Sequence, residues 1–230
     1  MKKCVTLFSS VLMMSTTLLG ASEVFADFTL VEPSSSNTQN TPVTATLTID
    51  TATVPTLPDD GTSGGHTNDN VTSSFGIAYH PISLSGNKQL KSEGPVTVDL
   101  SNNSADKLHV GVKDLTRQKH GWTLRASLSC NGDTNNYMEG TSIDLSGGKV
   151  QKNREGSLTP LDNEEVTGKS SVSIKNGIVN EVMKSDSQKI INGVYDYEFT
   201  GATLNIPEAK NVPAGTYNVN INWSLENIPA

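Results

Sequence analysis

The sequence predicts an all-β protein: a single antiparallel β-sandwich or barrel-like domain with long polar loops. Apolar residues recur at every second position over short runs, the pattern of strands with one buried and one wet face. Clusters of Gly, Asn, Asp and Pro separate these runs with turn chemistry. No stretch carries a convincing 3.6-residue apolar repeat; the best candidate, around Val182-Met183 to Ile190-Ile191, is short and ambiguous.

In chain order, Lys2 and Lys3 precede an apolar run from Val5 to Leu19 and small residues ending at Ala26. This is the layout of a secretory signal peptide, residues 1–26, with cleavage expected after Ala26. The run is short and nothing like it recurs, so no membrane span is expected in the mature chain. Removing a leader of net charge +1 takes the formal charge from −7 to −8. An acidic exported chain is a poor nucleic-acid binder, which needs clustered Lys and Arg. Cys130 alone survives processing and cannot close an internal disulfide; it is either a free thiol or one half of an intermolecular bridge.

Residues 27–42 form a flexible lead-in, Ser/Thr/Asn/Gln-rich from Ser34 to Thr41, and residues 43–230 form the domain. Val43, Ala45, Leu47 and Ile49 alternate with polar residues and predict its first strand. Residues 58–74 are polar, glycine-rich and almost without apolar side chains, which predicts a long exposed loop. His80, before Pro81, is expected to end a strand. Val96, Val98 and Leu100 mark the next strand, and Leu108, Val110 and Val112 another, with His109 expected to point to solvent. Trp122, Leu124, Ala126 and Leu128 alternate against Thr123, Arg125, Ser127 and Ser129. Tyr195, Tyr197 and Phe199 lead on to Leu204 and Ile206. The last run, Tyr217, Val219, Ile221, Trp223 and Leu225, alternates without a break against Asn, Ser and Glu. Turns fall at Pro58-Asp59-Asp60-Gly61, Ser85-Gly86-Asn87, Asn131-Gly132-Asp133, Ser146-Gly147-Gly148 and Asn176-Gly177.

Catalytic motifs are weak. Gly61-Thr62-Ser63-Gly64-Gly65 matches a nucleophile-elbow pattern but lacks the preceding apolar strand and the following helix. Gly168-Lys169-Ser170 lacks the glycine that a phosphate loop needs at position 163. Four histidines without H-x-H or H-E-x-x-H spacing, and one mature cysteine, do not make a zinc site. The Asp- and Asn-rich turns lack EF-hand spacing. The chain is therefore read as non-enzymatic, with no cofactor and no metal. The alternative is a secreted hydrolase of wall polymers working through a carboxylate pair, although Glu164-Glu165 fixes no suitable separation.

Two features suit binding. Residues 106–125 carry five cationic side chains against two anionic ones. Lys113, Arg117, Lys119 and Arg125 could meet wall phosphates or an acidic partner, or form a solvated basic face. Both tryptophans of the chain stand in a Trp-x-Leu tripeptide, Trp122-Thr123-Leu124 and Trp223-Ser224-Leu225. Residues two apart share a strand face, so Trp122 with Leu124, and Trp223 with Leu225, are expected to pack inward. An apolar face at a sheet edge can also dock a partner.

These motifs resemble those of the WxL-domain proteins, surface proteins of low-GC Gram-positive bacteria. The two Trp-x-Leu motifs, Pro229 after the second, Ser142-Ile143-Asp144-Leu145-Ser146-Gly147-Gly148 between them, and Thr46-Leu47-Thr48-Ile49 with Phe75-Gly76 upstream carry the resemblance. It implies non-covalent attachment to cell-wall peptidoglycan, with no LPxTG-type sorting signal expected. It also implies association with a membrane-anchored partner protein.

Overall fold

The computed structural model describes residues 41–49, 53–102, 105–130, 133–161 and 163–228. The chain divides into two compact units, Met1–Thr46 and Leu47–Ala230. The expected signal peptide and all of the lead-in up to residue 40 lie outside the described residues. No described helix is long and apolar enough to cross a membrane.

Among its described residues the second unit is all-β and antiparallel, built as three sheets without barrel closure. A six-stranded sheet runs β1 (His66–Asn68), β2 (Phe75–Pro81), β4 (Leu108–Asp114), β12 (Gly193–Phe199), β7 (Lys149–Arg154), β8 (Ser157–Thr159). A four-stranded sheet runs β10 (Ser171–Lys175), β6 (Ser142–Ser146), β13 (Gly201–Ile206), β3 (Val96–Leu100). The third runs β14 (Val219–Ile228), β5 (Gly121–Cys130), β11 (Asn180–Ser185), β9 (Val166–Gly168). The stretch with an ambiguous helical pattern, 182–191, begins as β11 and continues as turns.

Turn residues let the chain change sheets. Ser146-Gly147-Gly148 carries it from β6 to β7, with Gly147 at φ +69°. That is a backbone region where a Cβ is costly. A Cβ on Gly148 would collide with the Lys169 carbonyl oxygen and the Tyr197 hydroxyl. Asn176-Gly177 joins β10 to β11, and Thr200 alone separates β12 from β13. All three sheets contribute to one apolar core, which includes Val110, Val112, Trp122, Leu124, Ile143, Ile174, Val182, Tyr195, Tyr197 and Phe199. A smaller cluster joins Val96, Val98 and Ile206 to Ala209 and Val212.

Three expectations are corrected. Residues 43–49 form no strand, and Val43 and Leu47 are 88% and 93% exposed. Alternation supplies a strand with a face but not with a neighbour, and without a paired edge it gains no ladder. Residues 58–74 are not simply exposed: they contain a 3-10 turn at Ser63–Gly65 and strand β1, with Pro58, Thr62, Gly65 and His66 buried. His109 is fully buried. One cause explains the second and third corrections. β4 lies between β2 and β12, with Leu108, Val110 and Val112 in the core, and residues 53–66 lie across its other face. This cover is held by polar bonds, so it leaves no trace in an apolar pattern.

Candidate functional site: the paired Trp-x-Leu strands

The two motifs, far apart in sequence, lie on adjacent strands. β14 pairs with β5 through ten consecutive residue pairs without a register shift. Leu225 stands opposite Leu124, Trp223 opposite Ala126, and Trp122 opposite Asn227. Directly opposed residues share a face, so the leucines form a cross-strand pair with a tryptophan beyond each end.

Aromatic residues of β12 face this group. The Trp122 and Tyr195 rings lie 6.1 Å apart and tilted, and those of Trp223 and Phe199 6.5 Å apart. These separations fall in the favourable range for aromatic pairs. Burial pushes the Tyr195 hydroxyl well up, with the nearby Glu165 charge adding to it, and raises Tyr197 to about 12. Both phenols therefore stay neutral and act as packing groups with a hydrogen-bonding tip. The Tyr195 hydroxyl donates to Glu165 at 3.2 Å, and that of Tyr197 to the Lys169 carbonyl at 2.8 Å.

The two tryptophans differ in environment. Trp122 is completely buried, its backbone N–H donating to Ser185 Oγ at 2.9 Å. Its indole N–H meets no acceptor among the described residues. Leu124 is equally buried, whereas Trp223 and Leu225 are half-buried on a strand at the edge of its sheet. The opposite face of β14 presents Asn220, Asn222, Ser224 and Glu226 to solvent. There Asn222 Nδ2 donates to Ser129 Oγ at 2.9 Å, and Arg125 Nε donates to Glu226 at 2.8 Å.

The four cationic residues do not form one surface patch. Lys113 is fully buried, and its ammonium donates to the carbonyls of Thr53 (2.7 Å) and Val71 (3.0 Å). Such bonds replace the water a buried charge loses, which corrects its reading as a contact residue. Arg117 and Lys119 are exposed, and Arg125 is held by Glu226.

Sequence reading missed a second constellation on the outer face of the six-stranded sheet. Asp196 approaches His109 Nδ1 to 2.9 Å and accepts a bond from the Tyr79 hydroxyl at 2.9 Å. Asp60 lies 3.0 Å from His109 Nε2, and the His109 backbone N–H donates to His66 Nε2 at 2.8 Å. Burial alone would lower the His109 pKa. The hydrogen bond and charge of Asp196, with the charges of Asp60 and Glu198, outweigh burial and raise it. Burial also pushes the Asp196 carboxyl up. Asp60, His109 and Glu198 bring one potential ligand atom each within 4.8 Å of one another. These groups already satisfy each other as ion pairs, since Asp60 faces His109 and Lys107 donates to Glu198 at 3.3 Å. The only sequence signal was a histidine and two carboxylates at alternate strand positions, which is the ordinary pattern of a wet face.

The elbow-like Gly61–Gly65 stretch has no strand before it and runs directly into β1. Glu164 is exposed with a left-handed φ of +49°, while Glu165 is engaged by Lys152 and Tyr195. Neither arrangement is a hydrolytic centre.

Among known families, the model described as "WxL domain surface cell wall-binding" matches residues 31–229. No curated protein and no solved structure matches the chain. A match over nearly the whole chain, with both Trp-x-Leu motifs joined in one pair of strands, shows that this protein belongs to the WxL-domain family of surface cell-wall-binding proteins.

Proposed function

We propose that the protein is exported and held non-covalently on the bacterial cell wall as a non-catalytic component of a surface complex. Its direct ligand is peptidoglycan, and its partner is a membrane-anchored protein of the kind the family resemblance implies. The observation carrying this reading is the division of labour across β5 and β14. Their apolar face, with Trp122, Leu124, Trp223 and Leu225, packs toward β12, and the other face offers a row of amides and hydroxyls. Such groups match the hydroxyl- and amide-rich surface of a glycan carrying peptide stems, because each can donate and accept hydrogen bonds. On this reading the Trp-x-Leu motifs shape the binding strand pair and do not themselves touch the wall. Arg117 and Lys119 supply the remaining basic contact, toward anionic wall polymers.

Co-sedimentation with purified peptidoglycan and with wall stripped of teichoic acid tests this. The protein should pellet with both. A triple variant, Asn220→Ala, Asn222→Ala and Ser224→Ala, should lose most of that binding while its melting temperature stays within a few degrees. Failure of the native protein to pellet with any wall preparation would sink the reading. Full binding by the triple variant would move the contact elsewhere. Zymography on wall material should show no cleared band.

A further inference from the structure

We propose that the free edge of β14 is the docking site for residues 43–49 of a second copy of this chain, which adds there as an antiparallel strand. This goes beyond wall attachment and concerns how the molecules join one another.

The acceptor side is a groove of about 940 Å³ alongside β14. Consecutive residues from Thr216 to Trp223 line it, the last five of them in β14 with side chains belonging to both of its faces. The groove therefore follows the backbone edge and not one face. Among the described residues β14 pairs only with β5, so the N–H and C=O groups along its other edge have no strand partner there. Natural sheets usually protect such an edge with lysine, proline, a bulge or a very short strand. β14 has none of these: it is ten residues long, contains no Lys or Pro, and keeps register throughout. Phe199, Leu204, Ile143 and Leu100 give the groove an apolar floor, and residues 80–90 form its far rim.

The donor side is the segment that the sequence patterns as a strand and that pairs with no strand among the described residues. Val43, Ala45, Leu47 and Ile49 alternate with threonines, and Val43, Leu47 and Ile49 are exposed. The family match includes this segment. Seven extended residues are long enough to pair with the five β14 residues that line the groove and to reach beyond Val219. Donor and acceptor also correspond in charge, because neither 43–49 nor 216–223 carries any. The added strand would place one side-chain row over the apolar floor and the threonine row toward water. Backbone bonds supply affinity and the alternate pockets supply register, as in other strand-addition complexes. Exchange in both directions closes a two-fold pair. It also doubles the buried surface toward the roughly 1,600 Å² of a stable complex.

Sedimentation of the exported protein over a concentration series should show a monomer converting to a species of twice the mass. Leu47→Asp with Ile49→Asp should abolish that species. Thermal unfolding of the variant monomer controls for folding, and because both side chains are exposed its midpoint should be unchanged. A photo-crosslinker at position 47, in a mixture of isotopically light and heavy copies, should give light–heavy adducts mapping to 216–223. A monomer at all concentrations overturns the proposal. So does a dimer insensitive to the double variant, or crosslinks found only within one copy or only to another protein.

Discussion

Trp122 and Trp223 occupy the same tripeptide but differ in what removing them costs. Trp122 fills the interior beside Tyr195, so Trp122→Ala should destabilise the fold by about 3–5 kcal/mol in urea unfolding. Trp223, half-buried at the sheet edge, should cost less. In Trp122→Phe the remaining indole should be quenched by acrylamide more readily than the one left in Trp223→Phe. Equal quenching would contradict the assigned environments. Loss of wall binding in the alanine variants is evidence of contact only if the domain stays folded. His109 gives the clearest pH dependence. Its folded pKa lies above the usual 6.5, so near neutrality it holds more proton in the native state than in the unfolded one. The His109 contribution is fully present below about 6.5 and is lost as pH rises through the higher folded value. Urea midpoints should therefore fall across the neutral-to-alkaline range, and His109→Gln should flatten that slope.

At the scale of elements, strands with one covered face were legible and those with two were only half legible. Val96, Val98 and Leu100 predict β3, and the unbroken alternation of 217–225 predicts β14, because burial on one side leaves a period of two. β4 shows the limit: all seven of its residues are buried, yet only Leu108, Val110 and Val112 announce it. Its second face is covered through His109 and Lys113, whose polar bonds to Asp60, Thr53 and Val71 look like solvent exposure in sequence. Lys113→Met should therefore release the cover rather than alter wall binding. Hydrogen exchange should rise selectively across residues 53–71 while the amides of β5 and β12 stay protected.

At the scale of the molecule, three sheets share one core, so the domain should unfold in a single transition. Far-UV circular dichroism and tryptophan emission should give the same denaturant midpoint. Separate midpoints would mean that the β14–β5 sheet melts independently. Sequence alone determined the all-β class, the positions of β3, β4, β5, β12, β13 and β14 and the residues that share a face in each of them, because those follow from local backbone geometry and the burial of one side. The Trp-x-Leu motifs were legible too, as were their inward rows. Only the tertiary structure decided that the motifs are neighbours, with Leu225 opposite Leu124, since pairing joins strands about a hundred residues apart. It also decided that a polar segment seals β4 and that 43–49, although patterned as a strand, pairs with nothing in its own chain's described residues. Alternation specifies a face, but a strand's partner and the covering of its other face are set by contacts between segments distant in sequence.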